Sequence, residues 1–256
     1  MKRFLVTAAA IWAASLAASF SAGNAASLGG AQISGALSVD YSRARSEGEG
    51  AHSFGAEGSV LASFGNPGLN VQLDVGGDRL RIEGENTDGW SGALDGFWRD
   101  SKGSFGFTAA HGVPEWADGV HSQSYGLFGE WYFWPELTLR AKGGWTSLNE
   151  SDGKSTGGFA GVAAEYYFIP DLGLSLGGDY TSVEGLNVRE SHVAAEYLFF
   201  RDFPLSLRAS YDYQKFGQTN VSAYMFRLKY RFGASGALVT LDRSGPAVWT
   251  GASPLF

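Results

Sequence analysis

The chain contains no cysteine. A fold secreted into an oxidising space could have used disulfides, so this one does not rely on them. Beyond the first 25 residues there is no run long and apolar enough for a membrane helix. Histidine is scarce, with only His52, His111, His121 and His192. No metal-ligand spacing, phosphate loop or dinucleotide fingerprint occurs in a credible context, so neither a metal nor a cofactor is expected. Positive charge is also short. Of 19 Lys and Arg, Lys2 and Arg3 fall in the leader; the remaining 17 face 26 Asp and Glu, a net charge of −9. That balance argues against a nucleic-acid partner.

What is present is glycine (37 residues) and aromatics (14%), at a mean hydropathy of only −0.10. Residues 1–25 carry a positive start, a mostly apolar stretch from Phe4 to Phe20 and small residues at Gly23-Asn24-Ala25, the pattern of a secretory signal peptide. The stretch is too short and too rich in small residues to favour a membrane helix.

Residues 222–233 read SAYMFRLKYRFG. Tyr224, Phe226, Leu228, Tyr230 and Phe232 share one face of a strand; Arg227, Lys229 and Arg231 share the other. Three cations cannot sit in a dry core without partners, so one face meets an apolar medium and the other is wet or paired. This is the unit of a transmembrane β-barrel.

The unit recurs. EWYFWPELTLRAKGGW (130–145), EYYFIPDLGLSLGGDY (165–180) and EYLFFRDFPLSLRASY (196–211) align without a gap. Each opens on Glu, carries Phe133, Phe168 or Phe199 at its fourth position, turns, and ends on Trp145, Tyr180 or Tyr211. The two aromatic sets predict one girdle at each membrane interface. A soluble sandwich would need a dry interior, yet the other face holds Glu130, Arg140, Lys142, Glu165, Asp179, Glu196, Arg208 and Asp212. Fainter hairpins lie at 53–75 and 90–109, and Ile33 to Tyr41 make an opening strand. The expected fold is all-β: an up-and-down antiparallel barrel of about twelve strands over 32–232. Ten or fourteen remain open, according to whether DRLRIEG (78–84) extends a strand or forms its own hairpin. Tight turns fall on the side of the termini. The opposite connections (43–52, 77–89, 110–122, 146–157, 181–190, 214–221) read as longer and polar.

By its leader, its aromatic-flanked strands and the closing run YMFRLKYRFG, the chain resembles the bacterial outer-membrane β-barrel, or porin-like, superfamily over about 32–232. The resemblance implies residence in the outer membrane, contact with its lipid, and insertion by the barrel-assembly machinery. Many such chains end on the aromatic of the last strand; here 24 residues follow Phe232 and end in Phe256. The segment 233–256 lacks a long alternating run and reads as a periplasmic extension.

Parity assigns the lumen lining: Asp40, Glu57, Asp74, Asp95, Glu130, Arg140, Lys142, Glu165, Glu196, Arg208, Arg227, Lys229 and Arg231 among the charges. Most other inward positions are small; Leu61, Phe97, Phe128, Tyr132, Tyr167, Leu198 and Met225 are bulky. Acids on the early strands and bases on the late ones suggest two opposed walls and a transverse field. The alternative is that the charges pair and close the lumen, as the Glu130–Arg140 hairpin partners suggest. The favoured expectation is a narrow passive channel for small hydrophilic solutes, not an enzyme. A structural barrel without transport is the alternative. A lipid-modifying enzyme built on His121 beside Ser122 and Ser124 comes last, because a histidine near loop serines is usually loop chemistry.

Overall fold

A computed structural model describes residues 26–28, 30–46, 49–65, 67–82, 85–114, 120–150 and 153–247. The strands are β1 (Ala26–Leu28), β2 (Ala31–Ser46), β3 (Glu49–Gly65), β4 (Gly68–Ile82), β5 (Glu85–Asp100), β6 (Gly103–Val113), β7 (His121–Trp134), β8 (Leu137–Glu150), β9 (Gly153–Ile169), β10 (Leu172–Val183), β11 (Leu186–Phe200), β12 (Leu205–Phe216) and β13 (Thr219–Phe232); a short helix, α1, spans Leu238–Ser244. Each strand from β2 to β13 pairs antiparallel with the next, and β13 pairs back onto β2 from Val221↔Ser46 to Phe232↔Gly35. This closes a twelve-stranded barrel. β1 is an extra three-residue ribbon on β2, at Ala26↔Ile33, beyond the point where β13 stops.

Closure leaves no open edge, so each strand hydrogen-bonds on both sides as a membrane demands. Large apolar side chains stand exposed around the outside, including Trp145 (75%), Leu127 (69%), Phe105 (68%) and Leu176 (66%). Such a surface fits lipid and would aggregate in water. At the terminus end, Trp131, Phe133, Phe168 and Phe199 face outward; at the far end Tyr41, Tyr125, Trp145 and Tyr180 do.

The polar connections at the far end are not long loops. Pairing runs up to Ser46↔Glu49, Ile82↔Glu85, Glu150↔Gly153, Val183↔Leu186 and Phe216↔Thr219. Only the link between β6 and β7 is longer. Polar residues there are strand residues above the apolar band, where an outward polar side chain meets water or headgroups. DRLRI (78–82) accordingly prolongs β4 through Gly76-Gly77 and adds no hairpin.

Phe232 lies on the outer parity yet is only 3% exposed. Its ring covers Gly35, the partner across the seam, where an added Cβ would strike that ring and the Ser59 carbonyl. The aromatic expected to face lipid therefore packs on the sheet, because its neighbour has no side chain. Gly35→Val should prevent this closure. The fraction of protein migrating as the compact, unboiled form on a denaturing gel should fall sharply, since overpacking costs about 1–3 kcal/mol. An unchanged compact fraction would show that the seam tolerates a side chain there.

Candidate functional site

The lumen is built where the inward parity of all strands converges. At the terminus end it is partly filled. Gly233 adopts φ 72°, and a Cβ there would meet the Ile33 carbonyl, so only glycine suits the bend that carries the chain off β13. The following residues turn under and into the barrel. Leu238 and Leu241 of α1 pack with Tyr167 and Leu198. Ala247 packs with Leu61, Phe97 and Phe128.

Polar contacts fix the same segment. Asp242 accepts from Arg231 (2.6 Å) and from the Tyr167 hydroxyl (3.1 Å). Burial pushes the Asp242 carboxyl up from its ordinary value, and the Arg231 guanidinium pulls it back. Arg243 donates to the carbonyls of Trp134 (2.8 Å) and Leu137 (3.1 Å) in the β7–β8 turn. Arg99 donates to the Gly245 carbonyl (2.8 Å). The Gln72 amide both donates to the Ala247 carbonyl (3.2 Å) and accepts from its N–H (2.7 Å). The described part of the tail, 233–247, read from the sequence as the start of a periplasmic extension, thus docks as a plug at the terminus-end mouth; residues 248–256 lie outside the described residues. All but Met225 of the bulky inward residues, including Tyr132, whose hydroxyl donates to the Arg243 carbonyl (3.3 Å), form its bed. Their clustering at one level was the available signal, together with Leu238 and Leu241 spaced one helical turn apart.

Above the plug, a cavity of about 180 Å³ lies between the β2–β5 wall and β13. Ser38, Ser59 and Ser91 line it with Gly58, Gly76 and Gly92; Glu57, Asp74, Arg227 and Lys229 bring charge; Asp242, Pro246 and Ala247 form its floor. Asp74 accepts from Ser59 and Gln72, and Asp95 is fully buried nearby.

Most of the charges expected in the lumen pair between neighbours rather than stand as opposed walls; among the described residues no Lys or Arg bridges Asp74 or Asp95. Arg227 bridges Asp40 (3.3 Å) and Glu57 (2.9 Å). Arg140 bridges Glu130 (2.9 Å) and Glu165, all three buried. Lys142 meets Asp179 at 3.1 Å. Glu196 gathers Arg231 (2.8 Å), Arg208 (3.8 Å) and Lys229 (4.0 Å), and accepts from Ser206 (2.6 Å). Closure accounts for the Arg227 pairs, because β13 abuts β2 and sets that base beside Asp40 and near Glu57 of β3; the others join strands that are neighbours or next neighbours within the wall.

His192 points inward with Asp179 and Glu190, their ligand atoms within 4.8 Å of one another. The three donors could hold a cation, but Lys142 already lies on Asp179. At the far end Val120, Leu148, Val183 and Val188 form an apolar cluster. His121 stacks on His111 (5.9 Å, 5°) on the outer face, whereas Ser122 and Ser124 are buried on the inner one. Successive strand residues alternate faces, so this histidine cannot activate either serine.

No protein-family model matches the chain, and no curated protein resembles it in sequence. Solved structures do match its shape. An outer-membrane channel from Pseudomonas putida F1 (COG4313) aligns over 82% of this chain and 98% of its own, with a TM-score of 0.59 and 13% identity. The KdgM porin, solved in complex with disordered oligogalacturonate, covers 75% and 98% with a TM-score of 0.52 and 11% identity. The β domain of the Bordetella autotransporter BrkA covers 78% and 99% with a TM-score of 0.50 and 12% identity. With its closed twelve-stranded wall and apolar exterior, the chain has the fold of the bacterial outer-membrane β-barrels.

Proposed function

We propose that this protein is a narrow outer-membrane channel for small hydrophilic solutes, narrowed at its terminus-end mouth by its own tail. The observation that carries this reading is the cavity lined by serines, glycines and paired charges, floored by a segment held through side chains and a few carbonyls. Small polar lining lets water and polar solutes pass without a hydrophobic barrier. The matched P. putida and KdgM proteins are a channel and a porin, which favours the same class here. On this reading the chain performs no catalysis. Its partners are membrane lipid, the barrel-assembly machinery and its solutes, and both ends face the periplasm.

A structural barrel without transport is the second reading, favoured by the ion pairs and apolar contacts that fill the lower lumen. Planar-bilayer recordings separate the two. The channel reading expects small conductance steps from the wild type. Arg227→Gln with Lys229→Gln should move the reversal potential towards cations, because Glu57 and Asp40 then lose their counter-charge. Silence from both the wild type and a tail-less variant would establish the structural barrel instead.

A further inference from the structure

The outer face of β2, β3 and β4 carries an unusual row at the far end. Arg43, His52 and Arg81 are direct cross-strand neighbours, Arg43↔His52↔Arg81. One rung nearer the membrane centre lie Tyr41, Phe54 and Arg79; one rung further out, Arg45 stands opposite Gly50. All four arginines and His52 are exposed. Asp88 holds Arg79 at 2.7 Å, but among the described residues no carboxylate pairs with Arg43, Arg45 or Arg81. Like charges side by side on one sheet face repel, and they do so here in a chain whose acids outnumber its bases.

The row sits directly above exposed Tyr41 (45%) and Phe54 (60%), part of the aromatic girdle. Girdle aromatics mark the headgroup level of a bilayer. His52 is also held in place: its ring stacks on Tyr41, and its Nδ1 lies 2.7 Å from the Tyr41 hydroxyl. In the tautomer whose Nδ1 accepts from the Tyr41 hydroxyl, Nε2 carries the ring's proton and is its remaining donor. Arg43 and Arg81 rise from strands two apart, roughly 10 Å between backbones. Their long side chains can converge on one anion above the imidazole.

We propose that Arg43, His52 and Arg81, flanked by Arg45, bind the phosphate of a phosphorylated lipid headgroup in the leaflet at the far end of the barrel. Guanidinium forks match phosphate oxygens in pairs, and the adjoining aromatic belt takes the start of the acyl chains. The site rests on the outer-membrane reading but not on transport.

The test uses the full-length protein in neutral detergent, titrated with a bisphosphorylated lipid A, with its dephosphorylated form, and with inorganic phosphate. Native mass spectrometry reads the adduct. The phosphorylated lipid should form a one-to-one adduct at concentrations where the other two do not. Arg43→Gln with Arg81→Gln should weaken it about 30-fold. Arg189→Gln, an outward arginine over Tyr180 elsewhere on the rim, should leave it unchanged. Equal binding of the dephosphorylated lipid, of the double variant, or of inorganic phosphate as tightly as lipid would each overturn the proposal. A compact, unboiled band for every variant keeps the comparison among folded barrels. Failure of the wild type to partition into detergent or vesicles would instead refute the membrane reading itself.

Discussion

Truncation after Gly233 should open the terminus-end mouth and raise single-channel conductance several-fold over the full-length protein. Twelve strands spaced about 4.8 Å apart enclose a backbone cylinder of roughly 12 Å radius. Part of that bore is occupied by Leu238, Leu241, Asp242 and Ala247. Removing them clears the bore between the cavity and the mouth down to its bed of Leu61, Phe97, Phe128, Tyr167 and Leu198. Stability should fall at the same time. Losing two buried leucines forfeits about 1.5–3 kcal/mol each, and Leu61, Phe97, Tyr167 and Leu198 lose their cover. Arg231 keeps Glu196 and Ser206, so the wall itself should survive. Planar-bilayer recordings report the first effect and the midpoint of heat modification on gels the second. Unaltered conductance with a lowered midpoint would mean that the tail braces the barrel without setting its bore.

Arg140→Met should destabilise the barrel by about 3–5 kcal/mol. The guanidinium lies between Glu130 and Glu165, which are 4% and 2% exposed. Without it, two carboxylates face each other in a confined space with no cation between them. Removing one partner of a buried pair costs far more than the pair ever contributed, because the remaining charges stay desolvated. Combining Arg140→Met with Glu130→Gln and Glu165→Gln should recover much of the loss. Arg201, paired with Asp171 on the surface at a turn, is the contrast. Arg201→Met should leave the midpoint unaltered, since screened exposed pairs contribute little. Urea unfolding in detergent micelles, followed by the compact gel band, measures all three. A mild effect of Arg140→Met alone would show that water reaches the two carboxylates.

The wall was legible because a barrel writes its geometry at period two. Tyr224 to Phe232, and the three hairpins ending at Trp145, Tyr180 and Tyr211, set the parity of their own strands and so the facing of charges such as Glu130, Arg140, Glu196 and Arg231; Arg99 and Glu190, which also face inward, were not singled out. The Glu130–Arg140 contact followed from hairpin register alone. Other features need knowledge of which strands meet. Arg227 is 170 residues from Glu57, and only closure brings them to 2.9 Å. The far-end strand extensions were hidden because outward polar residues beyond the bilayer look like loop residues. The plug was hidden because a seven-residue helix has almost no pattern of its own. Its fit depends on Leu61, Phe97, Phe128, Tyr167 and Leu198, each from a different strand.

That last arrangement bears on the order of events during assembly. The bed of the tail is shared among β3, β5, β7, β9 and β11, so no partial sheet offers it whole. The contacts with the greatest sequence separation, such as Gln72 with Ala247 across 175 residues, form after the loops between them have closed. Tail docking is therefore a late event that only a completed ring can reward. Interactions formed that late slow unfolding more than they speed folding. The tail acts as a latch on a finished barrel, and its loss should shorten the barrel's lifetime without delaying its formation.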